Sequence, residues 1–135
     1  SLAKPPGKTL VIGASYVALE CAGFLRGLGC ETAVMVRSVA LRGFDRQMAE
    51  LVQQDMLQRG VRFLEGCTPT AVEAAEAGRK RVTWTGAEGG GSQHEEFDTV
   101  LVAVGRAPCT AELGLDRAGV AVNANGKISV QHERT

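Results

Sequence analysis

The sequence predicts a single α/β domain in which a doubly wound parallel sheet carries an inserted antiparallel β-meander. Over roughly the first 65 residues, short apolar runs alternate with longer segments of helical periodicity, as in a β-α-β-α-β unit. Beyond that point the helical periodicity stops, and short strand-like runs follow one another directly. The alternation and its abrupt end together indicate a Rossmann-like fold.

The first part of the chain divides into three predicted strands and two predicted helices. Each strand is a short apolar run: Thr9–Ile12, Thr32–Val36 and Val61–Leu64. The helices cover residues 15–28 and 45–58. Asp45 is the predicted N-cap of the second helix, and Gly29 and Gly60 are suited to end the two helices.

The apolar residues of both predicted helices recur at helical spacing. The larger set on the first helix is Val17, Cys21, Phe24, Leu25 and Leu28, and a thinner face is Ala18 and Ala22. The set on the second helix is Met48, Val52 and Met56, which share one side with Leu51.

The second part of the chain is predicted to contain β-structure. The strands of the meander are Ala71–Ala75, Arg81–Thr85 and Glu95–Phe97, and the later strands are Thr99–Val104 and a closing hairpin of Val120–Val122 and Ile128–Val130. Residues 86–92 are predicted to be a hairpin connection, because neither a Lys-Ser/Thr pair nor a helix follows this glycine-rich stretch. The whole of residues 1–135 is predicted to be one domain, of which residues 1–7 form a linker.

Composition and charge exclude several classes of protein. The chain is 44% hydrophobic and 22% charged, as expected of a folded globular protein. Fifteen basic residues balance fifteen acidic ones, so no net field attracts nucleic acid or an anionic membrane, and no apolar run reaches the roughly 18 residues that span a bilayer. The four cysteines have neither metal-ligand nor paired spacing, which predicts no metal site and a reducing compartment.

A turn with the sequence Gly13-Ala-Ser15-Tyr-Val-Ala18 lies between a predicted strand and a predicted helix. It matches the dinucleotide-binding fingerprint at its first position, Gly13, and at its third, Ala18. Such a turn places a pyrophosphate against backbone N–H groups at the helix N-terminus. The second position is Ser15 instead of glycine, and its Cβ is expected to hold the pyrophosphate further out or to shift it. The alternative is a turn that only allows close packing of strand and helix.

The residues after the second strand indicate which nucleotide is bound. An NAD site has an acidic residue there for the ribose 2′-OH, whereas this chain has Arg37, followed by Ser38 and Arg42. Two guanidinium groups around one phosphate form charge-assisted hydrogen bonds. We therefore predict that the site prefers NADPH, through its 2′-phosphate, to NADH. The alternative is that both arginines are ordinary surface residues.

Tyr16 and Glu20 stand out on the first predicted helix. Tyr16 lies at the start of the helix, where its ring covers the cofactor or simply fills space. Glu20 lies one turn later among apolar residues, where a carboxylate is unfavourable unless a cation or solvent meets it. A surface position is the alternative explanation for Glu20.

The stretch from Gly7 to Phe24, GKTLVIGASYVALECAGF, closely resembles the NADPH-binding domain of the large, animal-type thioredoxin reductases. These enzymes belong to the glutathione reductase-like pyridine nucleotide-disulfide oxidoreductases. Residues 34–38, 41–45 and 101–108 strengthen the resemblance, which extends to Thr135. Glutathione reductases typically have glycine where this chain has Ser15, and their two arginines are one residue further apart. Thioredoxin–glutathione reductases share this domain, and the corresponding domain of either these enzymes or a glutathione reductase remains an alternative.

The resemblance implies roles for individual residues. The dinucleotide turn would be formed by Gly13, Ala14, Ser15, Tyr16 and Val17. The 2′-phosphate would be held by Arg37, Ser38 and Arg42, and a second loop lining the NADPH site would be Val104, Gly105 and Arg106. Tyr16 also matches a mobile aromatic gate over the flavin, and Glu20 matches a carboxylate that pairs with a lysine of the FAD domain.

The resemblance also implies the function of a longer enzyme. Such an enzyme passes hydride from NADPH to FAD and electrons on to the disulfide of thioredoxin, as a homodimer with FAD and dimerisation domains that fall outside these 135 residues. This chain alone is expected to bind nucleotide without turnover. The resemblance implies an intracellular protein, mitochondrial or cytoplasmic. Residues 62–69, 82–84 and 97–101 look more like a mitochondrial isoform than a cytoplasmic one and favour the mitochondrial compartment. The departure at Ser15 leaves open a stand-alone nucleotide-binding or interaction module.

Overall fold

A computed structural model describes residues 4–86 and 91–130, and it confirms the predicted fold class. The elements of this part of the chain are β1 Thr9–Ile12, α1 Tyr16–Gly27, β2 Thr32–Val36, α2 Arg46–Gln58, β3 Arg62–Glu65, β4 Thr68–Ala74, a 3-10 turn Glu76–Gly78, β5 Lys80–Thr85, β6 Gln93–Phe97 and β7 Thr99–Val102. Strands β1, β2, β3 and β7 form a parallel sheet, and β4, β5 and β6 form an antiparallel one. Residues 105–130 belong to a second compact unit.

The parallel sheet has the strand order β3-β2-β1-β7. Val11 of β1 lies opposite Val34 of β2 on one side and opposite Leu101 of β7 on the other. The chain therefore leaves β1 towards one side of the sheet and returns to it on the other side. Such a reversal opens a crevice at the carboxyl ends of the strands, which is the usual ligand position in open α/β sheets.

Both faces of the parallel sheet are covered. Alternate residues of β1 and β2 point to opposite sides, so Val11 and Val34 pack with the helices, whereas Leu10 and Met35 pack with the meander. The meander side chains that complete this second core are Val82, Trp84 and Phe97. Burial on both faces explains why these strands are apolar at almost every position.

Helix α1 packs on the sheet with its thinner apolar face. Its buried residues are Ala18, Leu19, Ala22 and Leu25, whereas Phe24 is 56% and Leu28 is 76% exposed. Alanine side chains allow the helix axis to approach the sheet closely, so this contact does not need large residues. Of the larger predicted set, Leu25 alone is buried. Cys21 is partly buried, and Val17, Phe24 and Leu28 are exposed. These three residues contribute to a surface called here the outer face of α1: Tyr16, Val17, Glu20, Phe24 and Leu28.

Helix α2 begins at the predicted cap. The Oδ1 atom of Asp45 accepts a hydrogen bond from the backbone N–H of Met48 at 2.9 Å. The predicted apolar side is confirmed for Met56, which is buried together with Ala49. Met48, Leu51 and Val52 remain about half exposed, contrary to the prediction, so α2 covers the sheet through a narrow strip.

Strand β4 begins earlier than predicted. It starts at Thr68 instead of Ala71, because Thr68 pairs with Thr85 and the register shifts by one residue between Pro69 and Ala71. The prediction followed the apolar run, which starts only after this irregularity. Pairing with the neighbouring strand therefore sets the boundary.

Other boundaries of the second part also differ. Strand β7 ends at Val102, two residues before the predicted end. Residues 87–90 of the predicted hairpin connection lie outside the described residues. Within the unit that begins at residue 105, the predicted closing hairpin is represented by a single antiparallel bridge between Val122 and Ile128.

A small network of charges joins the meander to the parallel sheet. Glu95 on β6 lies 2.7 Å from Lys8 Nζ and 2.7 Å from Arg62 Nη2. Lys8 precedes β1 and Arg62 begins β3. Partial burial by itself raises the pKa of Glu95, but the hydrogen bonds from Lys8 and Arg62 outweigh burial, and the pKa of Glu95 is lowered.

We expect Glu95→Gln to reduce the free energy of unfolding at pH 7 by about 1 kcal/mol, because it removes the ionised partner of two cations in a partly exposed network. Since the pKa of Glu95 is lower in the folded chain, its contribution is fully present above the unfolded-state pKa of about 4.3 and is lost as the pH falls through the folded-state pKa. Urea unfolding at pH 7 and at about pH 3 measures this difference. The exposed Glu50→Gln on α2 is the control, and an equal loss at both pH values for Glu95→Gln would contradict the prediction.

Candidate functional site

A cleft of about 400 Å³ opens at the carboxyl edge of the parallel sheet. Its walls come from the segments that follow β1, β2 and β7 and from the connection between β3 and β4. The lining residues are 12–15, 35, 37–39, 42, 67–69, 103 and 104. The cleft thus lies at the place where the strand order predicts a ligand, and it brings together seven of the predicted site residues: Gly13, Ala14, Ser15, Arg37, Ser38, Arg42 and Val104.

Gly13 occupies the tightest point of the cleft wall. Its φ is 117°, and a Cβ atom at this position would collide with the carbonyl oxygen of Ala103 after β7. Its N–H group donates to Met35 O at 3.1 Å, and Ala103 N donates to Ile12 O at 2.8 Å. Glycine is therefore required here by both conformation and space.

Helix α1 starts immediately beyond this turn with Ser15 as its N-cap. The first intrahelical hydrogen bond runs from Leu19 N to Ser15 O at 3.0 Å, so the N–H groups of Tyr16, Val17 and Ala18 have no intrahelical acceptor. The first turn contains no acidic residue, and such a helix start favours an anion.

Ser15 itself does not distort the turn. Its φ of −73° and ψ of 170° are open to any residue, so glycine is not required by the backbone. Its side chain forms no capping hydrogen bond. The hydroxyl group is therefore available as an additional donor beside the helix N-terminus.

Arg37 and Arg42 supply positive charge to the cleft. Arg42 Nη2 donates to the hydroxyl of Ser38 at 2.5 Å, which joins two of the three predicted phosphate ligands. Neither arginine is ion-paired with a carboxylate of residues 4–86 or 91–130. The described lining also contains no acidic residue. A chain without net charge thus has a local excess of positive charge in this cleft.

The loop that carries these arginines is attached to the turn. Leu41 N donates to Ala14 O at 2.8 Å, and Leu41 adopts a left-handed conformation with φ 50°. Ala40 beside it is buried. The end of β2 and the start of α1 are therefore held together across the cleft.

Tyr16, Val17 and Glu20 lie outside the lining of the cleft. Tyr16 is 56% exposed and Val17 is 43% exposed, and both belong to the outer face of α1 together with Glu20. Solvent reaches Glu20, which accounts for a carboxylate on an otherwise apolar face. Their proposed contacts with cofactor or flavin remain predictions.

The predicted second loop divides at the boundary between the two compact units. Val104 lines the cleft and is 71% exposed. Gly105, with φ 144°, and Arg106 belong to the following unit, in which both are exposed. Their part in nucleotide binding remains a prediction.

Sequence reasoning missed the wall formed by Cys67, Thr68 and Pro69. Cys67 N donates to Val36 O at 3.2 Å. This hydrogen bond continues the β2–β3 pairing beyond Glu65, towards the cleft. A signal was present, because residues that follow the carboxyl end of a parallel strand line the crevice of an open sheet.

Two further features are absent from the described part of the chain. It contains no group of three or more His, Cys, Asp or Glu side chains that could hold a metal ion. None of its helices has the length and apolar character needed to cross a membrane.

The chain belongs to the pyridine nucleotide-disulphide oxidoreductase family, since the family model of that description matches residues 1–134. Members of this family depend in general on FAD and NAD(P). A cleft at the carboxyl edge of a parallel sheet, the usual ligand position in open α/β sheets, agrees with this membership.

Within the family, the chain is similar to thioredoxin reductase SEP1 of Emiliania huxleyi, with 54% identity over 135 residues. The match covers 100% of this chain and 27% of the relative, so the chain spans about a quarter of the relative's length. The comparisons thus confirm a thioredoxin reductase-like oxidoreductase domain. The preference for NADPH and the large, animal-type class remain predictions.

We expect Gly13→Ala to reduce the free energy of unfolding by about 2–4 kcal/mol, because the new Cβ meets backbone rather than a movable side chain. Urea unfolding measures the loss. The matched control is Gly23→Ala on the exposed side of α1, where no atom lies within 4 Å of the new Cβ. This control should be neutral or stabilising, by up to about 1 kcal/mol. Equal stability of wild type and Gly13→Ala would contradict the close approach.

Proposed function

We propose that this chain is the NADPH-binding part of a thioredoxin reductase-like flavoenzyme. The observation that carries the proposal is the placement of Arg37, Ser38 and Arg42 in one cleft with the turn at Gly13. A 2′-phosphate distinguishes NADPH from NADH, and arginine forks match a phosphate in both charge and geometry.

The two ends of the cleft suit different parts of the nucleotide. The N–H groups at the start of α1 suit the pyrophosphate, and Ser15 adds a hydroxyl donor. The arginines after β2 suit the 2′-phosphate, at the position where an NAD site of this fold presents a carboxylate to the 2′-OH. Because Leu41 is bonded to Ala14, these two subsites are held at a fixed separation.

The contribution of this chain to the reaction is positional. NADPH supplies a hydride that FAD accepts, and the protein binds and orients the nucleotide. In the complete enzyme, which we propose to be a homodimer, the electrons pass on to the disulfide of thioredoxin. Tyr16 and Glu20 are assigned to the flavin side, since both project from the outer face of α1 rather than into the cleft.

We expect the chain to bind NADPH more tightly than NADH in calorimetric titration. Arg37→Ala and Arg42→Ala should each weaken NADPH binding about tenfold or more, since a hydrogen bond to a charged group contributes about 1.5–3 kcal/mol. Binding of NADH should change less than about twofold in either variant, because NADH has no 2′-phosphate.

The matched control is Arg59→Ala. Its side chain is 72% exposed and is ion-paired with Asp55 on α2, away from the cleft lining. The proposal is wrong if wild type binds both nucleotides equally, or if Arg37→Ala and Arg42→Ala keep the preference for NADPH. Either result would favour a stand-alone interaction module instead.

We also propose that the FAD domain covers the outer face of α1 in the complete enzyme. Large apolar side chains exposed side by side are typical of an interaction surface, and Tyr16, Phe24 and Leu28 are each more than half exposed. The isolated chain should therefore bind a hydrophobic dye and self-associate at high concentration.

The double substitution Phe24→Gln and Leu28→Gln should reduce dye binding and self-association several-fold with little change in stability, because both side chains are already exposed. Fluorescence titration and sedimentation measure the two effects. Leu57→Gln on α2, which replaces a leucine that is 48% exposed, is the control. A wild-type chain that stays monomeric and binds no dye would contradict this assignment.

A further inference from the structure

We propose that Arg46 is a positioning residue for the 2′-phosphate site and acts through the loop between β2 and α2. This inference rests on the proposed function, since it requires that Arg37 and Arg42 hold a 2′-phosphate. Arg46 is the first residue of α2, and it is not among the described residues that line the cleft.

Arg46 holds the middle of the arginine-bearing loop. Its Nη2 atom donates to Ala40 O at 2.8 Å and to Leu41 O at 3.0 Å. These two residues lie between Ser38 and Arg42, so the bonds fix the loop between its phosphate-binding positions. One guanidinium group therefore restrains both halves of the predicted phosphate site.

The loop needs such restraint. Leu41 adopts a φ of 50°, a conformation that is unfavourable for a residue with a branched side chain. Its N–H group is bound to Ala14 O of the turn, and its carbonyl group is bound to Arg46. The strained residue is thus held from the turn on one side and from α2 on the other.

The helix alone does not explain an arginine at this position. A cation in the first turn opposes the helix dipole, and alanine has the higher helix propensity. Arg46 also has no ion-pair partner among the carboxylates of the described residues. The side chain of Arg46 contributes hydrogen bonds to the loop, so Arg46→Ala should affect the loop more than the stability of α2.

Calorimetric titration with NADPH and with NADH tests the inference. We expect Arg46→Ala to weaken NADPH binding about fivefold and to change NADH binding less than about twofold. The melting temperature should stay within about 3 °C of wild type. In a chain that already carries Arg37→Ala and Arg42→Ala, adding Arg46→Ala should have no further effect, because the groups that it positions are gone. Arg59→Ala is again the control for loss of an exposed arginine.

Three outcomes would overturn the inference alone, provided that wild type prefers NADPH. Unchanged NADPH binding in Arg46→Ala would show that the loop needs no such anchor. Equal weakening for NADPH and NADH would indicate general loss of the cleft. The same weakening in the background without Arg37 and Arg42 would show that Arg46 acts by its own charge. A wild-type chain without preference for NADPH would instead overturn the proposed function and this inference together.

Discussion

The close approach of Gly13 to the carbonyl group of Ala103 is the constraint on which the site depends. At this point the chain is hydrogen-bonded to both neighbouring strands. Gly13 N, just after β1, donates to Met35 O of β2, and Ala103 N, just after β7, donates to Ile12 O of β1. Any side chain at residue 13 would separate β1 from β7. The absence of a side chain allows the chain to turn directly from the sheet into α1, where the first three N–H groups have no intrahelical acceptor. Packing of the sheet and the proposed binding of a phosphate therefore share one requirement.

The sequence predicted the fold best where one local cause determines the structure. Strands β1 and β2 were predicted to the residue, because burial on both faces makes them uniformly apolar. The outward orientation of the larger set on α1, Phe24 and Leu28 included, was not predicted, because periodicity shows that a helix has two faces but not which of them meets the sheet. The start of β4 at Thr68 depends on pairing with β5, which no local pattern records.

The cleft was likewise predicted only where a local sequence pattern determines its residues. Gly13 and the residue types at Arg37 and Arg42 could be predicted, since each follows a strand end in a pattern with a chemical reason. The hydrogen bond from Leu41 N to Ala14 O could not be predicted, because it depends on a leucine in a left-handed conformation. Turn propensities favour glycine or asparagine for such conformations. The wall formed by Cys67, Thr68 and Pro69 was missed because Cys67 entered the prediction only through the spacing of the four cysteines.

The attachment of the loop after β2 has a consequence for how the ligand preference of such a domain could change. The loop is fastened to its surroundings by a few hydrogen bonds, from Leu41 to the turn and from Arg46 to the loop carbonyl groups. Ala40 of this loop belongs to the core between the sheet and the helices, whereas Arg37, Ser38 and Arg42 are exposed. In the proposed site, the side chains that select the cofactor are thus distinct from the side chain that fixes the loop in the core. Exchange of Arg37, Ser38 and Arg42, in evolution or by design, could therefore change the proposed nucleotide preference while Ala40 and the strands continued to stabilise the fold.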